Sequence, residues 1–60
     1  MQKVGVVGLG PIGNRHATIY HELDNVQLIG VCDIDPSRAD QTAARLGVPA
    51  FYQLEDMLNL

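Results

Sequence analysis

Residues Val6 to Gly13 read "VVGLGPIG". Three glycines, Gly8, Gly10 and Gly13, fall within six positions, with Pro11 between the last two. The run before them, Val4 to Val7, is short, apolar and β-branched apart from one glycine, which is a strand pattern. After them Ile12, His16, Ile19, Tyr20 and Leu23 recur at helical spacing, which predicts a helix over Pro11 to Leu23 with these five on its apolar face. Pro11 suits the first turn of that helix, where its missing N–H is not needed. The stretch is therefore G-x-G-x-x-G placed between a strand and a helix. Gly8 permits the tight turn, Gly10 removes a Cβ that would block a pyrophosphate, and Gly13 lets the helix pack close to the strand. The free N–H groups at the helix start, with the positive end of its dipole, favour phosphate.

Such a motif gains meaning from an acidic residue about 20 positions further on, at the end of the next strand. Val26 to Cys32, "VQLIGVC", reads as that strand, and Asp33 follows it directly, 20 residues after Gly13. A carboxylate there accepts hydrogen bonds from the hydroxyls of an adenosine ribose. Motif, context and spacing agree on dinucleotide binding. The alternative is a glycine turn of an α/β fold whose site is unused.

The rest of the chain continues the alternation. Asp24-Asn25 is a turn. In "DIDP" at 33–36, Asp35 caps a second helix with Pro36 at its first position. That helix runs to about Leu46 and stops at Gly47, which is free to adopt the left-handed conformation. Val48 to Tyr52 is a short third strand. A third helix starts at about Leu54, with Leu54, Met57 and Leu58 on one side. The order βαβαβα implies an α/β chain with a three-stranded parallel sheet, a Rossmann-type fragment forming the first part of a larger doubly wound domain. Strands one and two are apolar at nearly every position, so both are expected to be buried on both faces. Right-handed crossovers put helices one and two on one face. The other face is then largely bare, to be covered by the rest of the polypeptide or by a second copy.

Composition narrows the partners. Sixty residues make one domain at most, and a chain of that length buries only about 60% of its unfolded surface. Cys32 is the single cysteine, so no internal disulfide forms, and two histidines with one thiol give no zinc pattern. Four Lys/Arg against seven Asp/Glu leave a net charge of −3. The basic residues Lys3, Arg15, Arg38 and Arg45 are dispersed, which argues against nucleic acid as a partner. No apolar run reaches the roughly 18 residues of a membrane span. Met1-Gln2-Lys3 leads straight into the first strand, without the apolar core of a signal peptide. A cytoplasmic location is the expectation.

The segments GLGPIG at 8–13, Arg15-His16, "VCDIDPSRA" at 31–39 and "LGVPAFYQLEDML" at 46–58 together resemble the start of the glucose-fructose oxidoreductase/inositol dehydrogenase family (Gfo/Idh/MocA). The likeness covers almost the whole chain. It implies the N-terminal part of an NAD(P)-dependent oxidoreductase that moves hydride between a nicotinamide cofactor and a sugar, inositol or related polyol. The family's catalytic lysine, in a Glu-Lys-Pro motif, and its active-site Asp and His residues lie beyond the region of likeness. No such motif occurs in these 60 residues, so cofactor-binding positions carry over and catalytic ones do not, and the C-terminal substrate domain is absent from this chain.

The candidate cofactor-binding residues are Gly8, Gly10, Pro11, Ile12, Gly13, Asp33, Ile34 and Arg38. Ile34, next to Asp33, either walls the adenine pocket or is ordinary surface, with neither reading preferred. Arg38, five residues past Asp33, borders the adenine or meets a 2′-phosphate, or else is a surface arginine of helix two, which is the preferred reading. Asp33 favours NAD over NADP, because a 2′-phosphate would set two anions together. His16 is expected to be a packed, hydrogen-bonded structural histidine, His21 and Arg15 solvated helix residues, and Cys32 a small core residue. Glu55-Asp56 suits the start of a helix and not an acid/base pair. Two further functions compete: a non-enzymatic dinucleotide-binding module, acting as a sensor or a self-associating half-fold, and a flavin- or methyl-donor-binding domain on a similar fold. The "VCDIDPSRA" segment favours the nicotinamide reading over the latter.

Overall fold

The computed structural model describes residues 2–59; Met1 and Leu60 lie outside the described residues. The chain runs β1 (Gln2–Val7), α1 (Pro11–Glu22), β2 (Val26–Cys32), α2 (Pro36–Leu46), β3 (Ala50–Phe51) and α3 (Leu54–Leu58). The three strands form one parallel sheet in the order β1-β2-β3. The expected α/β class, βαβαβα order and parallel Rossmann-type sheet are all present. β3 is shorter than the sequence suggests, two residues rather than Val48 to Tyr52: the chain already bends at Tyr52, and Val48 N–H still donates to Ala43 O of the helix stop. There Gly47 sits at φ 68°, ψ 36°, and its N–H donates to Ala43 O at 2.8 Å, the left-handed cap that glycine adopts at least cost.

One face of the sheet carries the core. Val6, Leu28 and Val31 of the strands pack there with Ala17 of α1 and with Ala39, Ala43 and Leu46 of α2, and Leu9 enters from the turn after β1. Both long helices thus lie on one face, as right-handed crossovers require. Leu28 and Val31 are three residues apart, which strict alternation would send to opposite faces. The register resolves this: Val4 pairs with Leu28 but Gly5 pairs with Gly30, so Ile29 is an extra residue on β2.

On the other face Gly5 and Gly30 are register partners. A Cβ on Gly5 would lie 2.9 Å from the Met57 thioether, and one on Gly30 would lie 2.6 Å from the Phe51 ring. The two glycines make room for α3 and for β3's own aromatic residue. Met57 is buried, while Leu54 and Leu58, expected beside it, are exposed. The expectation that β1 is buried on both faces is corrected. Of its described residues only Val6 is buried, and Val7 is 56% exposed. β1 is an edge strand among the described residues, and α3, a single turn of helix, reaches only part of its second face.

Candidate functional site

Where β1 ends, Gly8 turns the chain at φ 85°, a left-handed value that costs an L-residue with a Cβ about 1–2 kcal/mol. Its N–H donates to Cys32 O at 2.9 Å, so the turn stays attached to β2. Leu9 then plunges into the core, 2% exposed. Gly10 is the N-cap of α1 and Pro11 its first residue. A Cβ built on Gly8 or Gly10 meets nothing within 4 Å, whereas one on Gly13 would overlap the carbonyl oxygen of Gly8. The three glycines do three different things. Gly8 makes the turn, Gly13 brings the first turn of α1 against that turn, and Gly10 keeps the space above both of them clear.

The two long helices begin differently. α2 is capped by its own chain, with Asp35 Oδ1 accepting from the Ser37 N–H at 3.0 Å. α1 has no side-chain cap and no acidic residue in its first turn. Its first intrahelical bond is Asn14 N–H to Gly10 O at 2.9 Å. The N–H groups before it have no partner within the helix, and the positive end of the dipole is uncompensated. A helix start of this kind favours an anion over a cation.

Asp33 stands beside this turn at the end of β2. Its Oδ2 accepts from Leu9 N–H at 2.8 Å and its Oδ1 from Asp35 N–H at 2.9 Å. The side chain is 8% exposed. Donation from the Asp35 amide, then from the Leu9 amide, holds its carboxyl below the usual carboxylate range, with the Arg38 charge adding to the effect. A carboxylate offers about four lone-pair sites, so two amides leave capacity for a pair of hydroxyls. Asp33 therefore does more than the sequence suggests: it also ties the glycine turn to the loop after β2.

The other candidates sit around it. Ile34 is 89% and Ile12 73% exposed, both free to wall a bound group, and Pro11 is exposed at the start of α1. Arg38 Nε lies 3.8 Å from Asp35 Oδ2, in a pair whose side chains are more than half and half exposed, as the surface reading of Arg38 expects. Cys32 is buried, and burial followed by the Asp33 and Asp56 carboxylates pushes its thiol up, away from the reactive thiolate. His16 departs from expectation. It is exposed, as are Ile12, Ile19, Tyr20 and Leu23. α1 turns Gly13 and Ala17 to the sheet instead, because the contact of Gly13 with Gly8 brings the helix too close for larger side chains. Leu9, Asn14, Thr42 and Arg45 are the site's supports that the motif does not reveal. The one available signal was Leu9 itself, a large apolar residue that a glycine turn has to bury.

A parallel β-α-β unit with a cleared glycine turn, an uncapped helix start and an anchored carboxylate after the second strand defines a dinucleotide-binding Rossmann half. The chain belongs to the Gfo/Idh/MocA family, described as an oxidoreductase family with an NAD-binding Rossmann fold, whose model matches residues 2–60. Glucose-6-phosphate 3-dehydrogenase of Bacillus subtilis is 30% identical over 59 residues, 98% of this chain and 17% of that protein. Glyceraldehyde-3-phosphate dehydrogenase of Pyrococcus furiosus is 38% identical over 56 residues, 93% of this chain and again 17% of that protein. The WlbA dehydrogenase from Bordetella pertussis, solved in complex with NADH and UDP-GlcNAcA, superposes with a TM-score of 0.85 at 30% identity, over 97% of this chain and 18% of that one. The chain spans about a sixth of the length of these relatives.

Proposed function

We propose that residues 1–60 are the N-terminal part of the NAD-binding domain of a cytoplasmic oxidoreductase acting on a sugar, inositol or related polyol, with its substrate domain elsewhere in the polypeptide. The observation that carries this is the uncapped start of α1 facing the space that Gly8 and Gly10 keep clear. The pyrophosphate sits against that turn. Asp33 accepts from the adenosine ribose, Ile34 and Ile12 wall the cofactor, and Arg38 borders it. The nicotinamide ring supplies the hydride chemistry, and this segment's part is to bind and orient. Two dehydrogenases of sugar derivatives among the relatives support the substrate class. The glyceraldehyde-3-phosphate dehydrogenase relatives are named for a triose phosphate, again a sugar derivative, and do not narrow the class further.

Asp33 makes NAD the cofactor rather than NADP. A 2′-phosphate would lie against the carboxylate and remove the hydroxyl it engages. A like-charge contact in a partly desolvated site costs more than one exposed arginine such as Arg38 returns. The test is the affinity of the full-length protein for NADH and NADPH, then the same pair for Asp33→Ser. The expected result is a native preference for NADH of more than about tenfold, narrowed by the substitution. A native preference for NADPH, or an unchanged ratio in Asp33→Ser, would refute it.

A further inference from the structure

A polar cluster joins α1 to α2 beneath the glycine turn. Asn14 Oδ1 accepts from Thr42 Oγ1 at 3.1 Å and from a terminal guanidinium nitrogen of Arg45 at 2.7 Å. The same nitrogen donates to Thr18 Oγ1 at 3.0 Å, and Thr18 Oγ1 donates to the Asn14 carbonyl at 3.0 Å. Thr42 is 2% exposed. An arginine carries donors only, so the Asn14 atom that faces it has to be the amide oxygen. That choice turns Asn14 Nδ2 the other way, onto Leu9 O at 3.4 Å.

Leu9 is the middle residue of the turn between Gly8 and Gly10. Asp33 holds its N–H at 2.8 Å and Asn14 its carbonyl. The peptide groups on both sides of Leu9 are thus fixed by side chains from outside the turn. The Leu9 carbonyl shares a planar peptide with the Gly10 N–H, so fixing one fixes the other. We infer that Asn14, oriented by Arg45 and Thr42 of α2, is a positioning residue that sets the phosphate-binding turn before the cofactor arrives. Arg45, 31 residues from Asn14, acts on the cofactor only through it. The advantage is preorganisation: a turn already held in its binding shape loses less freedom on binding. The inference rests on the assignment of the pyrophosphate to this turn.

The experiment measures affinity for NADH and for adenosine, which lacks the pyrophosphate, in the full-length protein. It compares wild type, Asn14→Leu, Arg45→Met and the double variant, all neutral replacements. Asn14→Leu is expected to weaken NADH about fivefold, the worth of one hydrogen bond, and Arg45→Met by less. The double variant should match Asn14→Leu alone, and adenosine affinity should stay constant throughout. Asn14→Leu with wild-type NADH affinity overturns the inference. So do NADH and adenosine weakening together, or the two single effects multiplying in the double variant. If Asn14→Leu does not fold, Arg45→Met decides: weaker NADH with unchanged adenosine supports the brace, and unchanged NADH overturns it. Wild-type protein that binds no NADH overturns the proposed function and this inference with it, whereas wild-type binding with an unaffected Asn14→Leu overturns the inference alone.

Discussion

Replacing Gly13 and Gly10 by alanine separates what these two motif glycines contribute. At Gly13 the added methyl meets the backbone carbonyl of Gly8, which cannot move aside without dismantling the turn. Overpacking costs about 1–3 kcal/mol and more where backbone is struck, so Gly13→Ala is expected to lower both stability and cofactor affinity. Gly10→Ala is the opposite case. Gly10 lies at φ −64°, which any residue adopts, and its Cβ would enter open space. Its melting temperature should be unchanged or slightly raised while NADH affinity falls, since the methyl enters the space where we propose the pyrophosphate sits. A Gly10→Ala protein that bound NADH normally would show that this space is not the phosphate site. Asp33 adds a pH dependence. Its folded pKa lies below the ordinary 3.8. Its contribution to stability is therefore complete above that value and is lost as pH falls through the folded pKa. Asp33→Asn keeps the size but turns one NH2 toward the Leu9 or Asp35 amide. Denaturation midpoints from about pH 6 down to pH 3 should show a lower but flatter curve for the variant; curves of equal slope would remove Asp33 from the acid response.

Among elements, α2 is legible in the sequence in full and α1 only in outline. For α2 the signals are local: Asp35 caps, Pro36 starts and Gly47 stops, and each acts through the backbone of its own turn. For α1 the extent was legible, but the buried face was not. Periodicity selects the stripe of Ile12, His16, Ile19, Tyr20 and Leu23, whereas the residue α1 buries is Ala17, with Gly13 against the Gly8 turn. Hydrophobic pattern ranks faces by apolar content, whereas a close helix-sheet approach ranks them by size. The bulge at Ile29 and the facing pair Gly5 and Gly30 were hidden for a related reason, since register is a property of two strands together. The site divides the same way. The turn and Asp33 follow from spacing, while the Asn14–Arg45 brace joins positions 31 residues apart with no motif to announce it. Ala17 is fully buried, so Ala17→Leu should cost about 1–3 kcal/mol in chemical denaturation of the full-length protein. Asp35→Ala should cost about 1 kcal/mol through the lost cap, and Arg38→Ala less than about 0.5 kcal/mol, as its ion pair is exposed. A larger loss for Arg38→Ala than for Asp35→Ala would contradict that division.

At the scale of the whole chain, the surface carries what a self-sufficient domain of this size avoids. Val7, Ile12, Ile19, Leu23 and Leu58 are between 42% and 73% exposed. β1 pairs with β2 on one side only among the described residues, leaving its outer edge a template for another strand. Apolar residues exposed on both sides of the sheet, on α1 and on α3, mark interfaces or an aggregation liability, and a chain of about 60 residues has little stability in reserve to carry a bare apolar face. The relatives of about six times its length have the polypeptide with which to cover such a face. The 60-residue chain by itself is therefore expected to self-associate or to remain partly molten. Light scattering across a range of concentrations should show a mass that rises with concentration, or near-ultraviolet circular dichroism should show weak tertiary signal beside native helix content. NADH should stabilise the isolated chain little, because a partly molten chain does not hold the glycine turn and Asp33 together in one binding geometry. A monomer at every concentration with a sharp, concentration-independent unfolding transition would overturn this. It would mean that the core of Val6, Leu9, Ala17, Leu28, Val31 and the α2 residues suffices on its own, and that the exposed stripe of α1 is ordinary surface.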